Sequence, residues 1–439
     1  MPTVFTSTTT EKEGVFSVEK NGYVKPETKE YIKDKFFVVR ILFFTMGLVH
    51  FVPLTFFTTA NDYWMYKFRD TSQEEYNNTQ NRTSLQSHFA AATTIATNVP
   101  LIIFVLLTTT YGHHVKAKLR VYVAIGLMLM CFVISTIFIN LDTDSWQTWF
   151  YMLSLLLITI INSARAIYRI SIFEIISKFP QVSVAWFLAG EGLAGIFNSI
   201  LQIISLAIGT STTTSALIYF ISGCAVMLFA MVLYSFTERV TYYKHFIVPF
   251  AKPKCKKSVG FKEFVENSKL IWSSIVIILF LYIAQLVTSP SITSLVKSEY
   301  AGSGPWSDLY FVPVVTFLLN NVCDFLGRTI SSKINKTLNG TLITIIMFLR
   351  MVIFVPFFMM CNAQPRHHLP VIFNHDYQYI IIVIVFGLSS GYFFNLAFMS
   401  IPSLVPKEET ECAYHVLVIY VGIIGAAFSV LSFFSVDVI

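Results

Sequence analysis

The chain has 439 residues, of which 55% are hydrophobic and 13% charged. A soluble chain carries about 25% charged residues, so a soluble enzyme, a disordered protein and a nucleic-acid binder are all excluded, and the mean hydropathy of +0.64 places the chain among α-helical proteins that cross the membrane many times. The net charge of +6 is not a basic patch, because the basic residues are sorted by loop. Five of the six cysteines, Cys131, Cys224, Cys323, Cys361 and Cys412, lie in or beside apolar runs, and Cys255 sits in a basic loop, with no zinc or disulfide spacing among them.

Residues 1–37 read as a polar cytoplasmic tail without the apolar core of a signal peptide. Apolar segments follow at about 38–60, 88–110, 119–140, 147–176, 182–208, 213–237, 269–290, 308–330, 340–361, 376–402 and 411–436. Each is long enough to cross about 30 Å of hydrocarbon. The basic segment 238–268, with Lys252, Lys254, Lys256 and Lys257, divides them into a six-helix bundle (38–237) and a five-helix bundle (269–439). It reads as a topology determinant, with an anionic-lipid or regulatory site as the alternative.

With the N-terminus in the cytoplasm, 21 of the 31 Lys and Arg residues fall on the inside, 5 outside and 5 within spans. That asymmetry sets the orientation, and eleven crossings put the C-terminus outside. The first outer loop, 61–87, carries glycosylation sequons at Asn77 and Asn81, whereas those at Asn335 and Asn339 fall inside and read as chance.

Gly190-Glu191-Gly192-Leu193-Ala194-Gly195 matches a dinucleotide fingerprint. No strand precedes it, so the pattern reads instead as a small-residue face for close helix packing. Charges within spans face cavities or one another. Asp324 and Arg328 are four apart and share a helix face; they offer an acceptor and a planar donor fork to a polar ligand, or simply an intrahelical ion pair. Arg165 and Arg169 also share a face and need counter-charges, for which Glu174, Glu191 and Asp324 are available, or an aqueous cavity, with a ligand site as the alternative reading, more so for Arg169. The chain has no serine elbow, zinc-protease motif or phosphate loop, so it reads as a non-enzyme without cofactor or metal, and transport would be facilitative or ion-coupled.

Several segments together resemble the equilibrative nucleoside transporters, solute carrier family 29, from about residue 38 to 436. Asp324-Phe325-Leu326-Gly327-Arg328 looks like the family's D-x-x-G-R signature. Pro53-Leu54-Thr55-Phe56-Phe57-Thr58-Thr59-Ala60, the Gly190–Gly195 run, Arg350 with Phe354-Val355-Pro356, Gly391, Asn395 and Glu411 are also similar. The resemblance implies an all-α fold of eleven transmembrane helices in a major-facilitator-like 6+5 arrangement, with a central site and alternating access.

It further implies that Asp324 and Arg328 hold the nucleoside, chiefly its ribose, with Arg169, Leu54, Thr58 and Asn321 also lining the substrate site. Arg165, Glu174, Glu191 and Glu411 are then charge-network or gating residues. Two positions where the family has glutamine are Arg169 and Glu191 here, and a tryptophan of the helix-one motif is Leu54. The expected partners are a nucleoside or nucleobase and the lipid bilayer. Shifted specificity, with proton-linked or organic-cation transport, and a non-transporting membrane binding protein are the alternatives. The expected location is the plasma membrane, with the endolysosomal membrane as the alternative.

Overall fold

The computed structural model describes residues 34–71, 83–209, 211–247, 260–334, 339–364, 366, 368–429, 431 and 434–435. Among these, eleven helices are long and apolar enough to cross a membrane. They are α1 (Val38–Thr59), α2 (Ser84–Tyr111), α3 (Ala117–Ile139), α4 (Gln147–Ile176), α5 (Val182–Ile208), α6 (Thr212–Thr237), α7 (Trp272–Thr288), α8 (Trp306–Lys333), α9 (Gly340–Met359), α10 (Asp376–Met399) and α11 (Thr410–Phe428). Asn77, Asn81 and the Lys252–Lys257 run lie outside the described residues.

Local chemistry sets the helix ends. Thr83 and Gln86 form a reciprocal capping box at the start of α2. Ser211 caps α6 by accepting from Thr214 N. Asn339 accepts from Thr341 N and caps α9, which gives this asparagine a structural role. Gly209, at φ +65°, closes α5 in the left-handed conformation that glycine tolerates. Side chains such as Ile103, Met152, Val232, Ile345 and Ile381 are exposed on the outside of the bundle. An apolar exterior of this kind is suited to lipid tails.

Several boundaries differ from those expected: the second span starts at Ser84 rather than 88, and the tenth helix ends at Met399 rather than 402. The seventh span starts at Trp272 rather than 269, because the chain turns at Ile271 after a separate amphipathic helix, Phe261–Leu270. The last span is helical over Thr410–Phe428 and again at 431 and 434–435, and its expected end near 436 lies outside the described residues.

Glycine places the helices that carry the charges. A Cβ on Gly47 would fall 1.9 Å from the Phe187 carbonyl oxygen, and one on Gly190 would fall 1.9 Å from that of Phe44. The α1 and α5 backbones therefore touch. The same device joins α8 to α10, where a Cβ on Gly391 would lie 1.9 Å from the Asp324 carbonyl oxygen and one on Gly327 would lie 2.1 Å from that of Leu388. Gly192 and Gly195 face α8: their Cβ positions meet Arg328 Cδ at 3.2 Å and Asn321 Oδ1 at 2.7 Å. The glycine run of α5 thus packs on α1 with one residue and on α8 with two, as the close-packing reading expects.

The N-terminal part of α8 is wound as a wide π-helix over Trp306–Tyr310 and Val312–Leu319, and it returns to α-helix at Asn320. Such segments are frequent at functional sites. Asn321 and Asp324 follow directly.

Contacts between the first six and the last five helices bridge the seam near the C-terminal end of α4. Phe173 of α4 stacks on Phe398 of α10 at 5.2 Å and on Tyr414 of α11 at 5.2 Å. Gln181, before α5, donates to the Met399 carbonyl.

Candidate functional site

Four ionisable side chains from three helices gather around Glu191, which is buried in α5. His50 Nδ1 of α1 lies 2.7 Å from Glu191 Oε1. Arg169 Nη2 of α4 lies 3.9 Å from the same oxygen. Arg328 Nη1 of α8 lies 3.5 Å from Glu191 Oε2. Asp324, one turn earlier on α8, accepts from Arg328 Nε at 2.7 Å. Arg328 Nη1 also donates to the Leu188 carbonyl at 2.9 Å, and the guanidinium lies 4.6 Å from the centre of the Phe394 ring. Asn395 Nδ2 donates to the Arg328 carbonyl at 2.9 Å and ties that turn to α10.

Arg165 takes a different route to satisfaction. It lies one turn before Arg169, yet its Nε donates to the His50 carbonyl at 2.9 Å and its Nη1 to Asn162 Oδ1 at 2.8 Å. Pro53, inside α1, has no N–H to give the Val49 carbonyl, one residue before His50. Neutral dipoles, not a carboxylate, hold Arg165.

Glu174 is not the counter-charge of either arginine. It pairs with Arg120 of α3. Five residues separate it from Arg169, a rotation of about 140° on an α-helix, so it points to a different neighbour. Glu411 lies in the first turn of α11; the adjacent Cys412 Sγ is 3.5 Å from Asn267 of the Phe261–Leu270 helix. Asn321 donates to Ser199 Oγ across the α5–α8 contact at 3.0 Å. Leu54 is half-buried, and the exposed Thr58 donates its hydroxyl back to the Leu54 and Thr55 carbonyls at 2.9 and 3.0 Å.

His50 and Tyr282 join the cluster without belonging to any sequence motif. His50 is the only titratable residue between 41 and 60, and that isolation in an apolar span was the available signal. Tyr282 of α7 lies within electrostatic reach of Arg169, Glu191, Arg328 and Arg165; nothing in its local sequence distinguishes it.

The cluster therefore sits on the seam between the first six helices and the last five. The side chains of Asp324, Arg328 and Arg169 stay 19%, 12% and 12% exposed. Charges so placed in a membrane bundle face its interior rather than lipid. Eleven membrane helices in two packed groups, with polar groups gathered at their junction, define a multi-pass carrier of the major-facilitator type.

A family model described as Nucleoside transporter matches residues 155–251 and 246–436, and the chain belongs to that family. It is 27% identical to equilibrative nucleoside transporter 1 of Homo sapiens, with 92% of this chain and 98% of the relative covered. It is 25% identical to equilibrative nucleoside transporter 3 of Rattus norvegicus, with 92% and 88% covered. Among solved structures, the major facilitator superfamily proton:xylose symporter XylE superposes with a TM-score of 0.55 at 13% identity, covering 90% of this chain and 87% of that one. That likeness concerns the fold alone.

Proposed function

We propose that the chain is a facilitative, alternating-access transporter of nucleosides, with nucleobases as the alternative cargo, and that Asp324 and Arg328 hold the solute. The observation that carries this reading is the Asp324–Arg328 pair. It joins a carboxylate acceptor and a guanidinium fork at 2.7 Å, partly exposed on the seam of a family member. A ribose diol can both donate to the carboxylate and accept from the guanidinium. Arg169, Asn321, Leu54 and Thr58 complete the proposed lining.

The contacts of Phe173 with Phe398 and Tyr414, and of Gln181 with Met399, support a state closed toward the cytoplasm. That assignment takes the N-terminus as cytoplasmic, in keeping with the Lys/Arg asymmetry, and the plasma membrane as the location. The organic-cation reading loses support, because Glu191, Asp324 and Glu174 each face an arginine.

The test is radiolabelled nucleoside uptake into proteoliposomes, with and without sodium and pH gradients. Uptake driven by the solute gradient alone is expected. Asp324→Ala and Arg328→Ala should each lose most of it while eluting as folded protein in detergent. Near-normal uptake by both variants would reduce the pair to scaffold. An absolute requirement for an ion gradient would replace the facilitative reading with a coupled one.

A further inference from the structure

We propose that Arg169 makes this carrier selective for nucleosides whose base presents two adjacent hydrogen-bond acceptors, the 6-oxopurine nucleosides above all. The inference rests on the nucleoside-transport reading and names the substrate class of that same site.

Two nitrogens of Arg169, Nε and Nη2, are buried without a hydrogen-bond partner. The nearest carboxylate oxygen, Glu191 Oε1, is 3.9 Å away, beyond hydrogen-bond range. The guanidinium is confined all the same. It lies 5.9 Å from the centre of the Phe173 ring and 5.6 Å from that of Phe398. One ring belongs to α4 and the other to α10, so Arg169 stands on the seam itself, in electrostatic reach of Tyr282 of α7. The result is a fork flanked by two rings, with two unmatched donors, that shares Glu191 with Arg328 of the Asp324–Arg328 pair.

A guanidinium donates and never accepts. A buried donor left unmatched is costly, and a ligand that matches it recovers that cost on binding. The planar fork fits two neighbouring acceptors. A 6-oxopurine presents O6 and N7 side by side, the pair that arginine engages bidentately in guanine, whereas adenine sets an amino donor beside N7. Adenosine would point N–H groups at N–H groups. Sites built around a specific hydrogen-bond pattern discriminate strongly against its reversal.

The test uses the full-length protein in proteoliposomes and measures the apparent affinities of inosine, guanosine, adenosine and 7-deazaguanosine by competition with radiolabelled inosine. Inosine and guanosine should bind on the order of tenfold more tightly than adenosine. Removing N7 in 7-deazaguanosine should forfeit most of that advantage. Arg169→Lys keeps the charge but not the fork, and the inosine-to-adenosine preference should fall toward one. Arg169→Gln combined with Glu191→Gln should flatten it as well.

Equal affinity of the wild type for inosine and adenosine, with both taken up, overturns the selectivity while leaving the transport reading intact. So does a full preference retained in Arg169→Lys. A wild type that takes up no nucleoside overturns the transport reading, and the selectivity falls with it. If either variant fails to fold, the wild-type ratio and the 7-deazaguanosine comparison still decide.

Discussion

Exchanging Glu191 for glutamine removes the one carboxylate that Arg169 approaches. At an effective dielectric constant of about 20, unit charges 3.5 and 3.9 Å apart attract by roughly 4 to 5 kcal/mol each before desolvation is counted. The two arginines do not lose equally. Arg328 keeps Asp324 at 2.7 Å and the Leu188 carbonyl at 2.9 Å, whereas Arg169 is left with aromatic faces only. Breaking a buried pair from one side costs about 3–5 kcal/mol in soluble proteins, and that is the expected size here. Arg169→Gln should cost less, because Glu191 retains His50 at 2.7 Å and Arg328 at 3.5 Å. The double change leaves two amides that can bond one another, and the coupling should recover up to about 3 kcal/mol. The assay is the apparent melting temperature in detergent at a fixed heating rate, because such unfolding is governed by a rate. Glu191→Gln should melt lowest of the three variants, and the double variant should melt above it. Strictly additive losses would refute the pairing of Arg169 with Glu191.

Three further outcomes are expected. Gly391→Ala should abolish accumulation of folded protein, since its Cβ would fall 1.9 Å from the Asp324 carbonyl oxygen, while Gly126→Ala, with nothing within 4 Å, should be neutral or stabilising by up to about 1 kcal/mol; equal size-exclusion profiles for the two would count against the α8–α10 contact. In intact cells an N-terminal tag should be shielded and a C-terminal tag accessible, with glycan on the first outer loop; finding both termini on one side would sink the eleven-span topology. Leu54→Trp should tighten nucleoside binding, by roughly 1–3 kcal/mol if the indole stacks on a base as in nucleic-acid sites; an unchanged dissociation constant in a folded variant would place Leu54 outside the site.

The spans were legible because each is a long apolar run, and the sequence shows that directly. The glycine face of α5 and the shared face of Asp324 and Arg328 were legible because both are periodicities of a single helix. What one helix cannot show is its neighbour. Glu174 could be assigned to Arg165 or Arg169 on charge alone, but its rotation on α4 sends it to Arg120 of α3. His50 lies 141 residues from Glu191 in sequence and meets it only because Gly47 and Gly190 let α1 and α5 close on each other. The start of α7 was misplaced because the amphipathic helix before it, Phe261–Leu270, runs almost without a break into the apolar one.

The arrangement of charges follows from what an alternating-access carrier must do. If the first six helices rock against the last five, any ion pair spanning the seam is broken once per cycle, and a charge stripped of its partner in a low-dielectric interior is costly. Here each side carries its own counter-charge. Asp324 travels with Arg328 on α8, four residues away. Glu191 travels with Arg169 and His50, on α5, α4 and α1. Arg165 is satisfied by the His50 carbonyl and Asn162, all within the first six helices. Of the arginine contacts in this cluster, those of Arg328 with Glu191 and the Leu188 carbonyl cross the seam through hydrogen-bonding groups. That logic also explains why Arg169 and Glu191 belong together where the family resemblance implies two glutamines. Arg169 alone would lack a carboxylate in its own half, whereas beside Glu191 it has one, and the half can move as a unit. Arg328 is then the charged residue whose hydrogen-bonding contacts change between states. Its Asp324 partner and its proposed place in the solute site link the occupancy of that site to the opening of the seam.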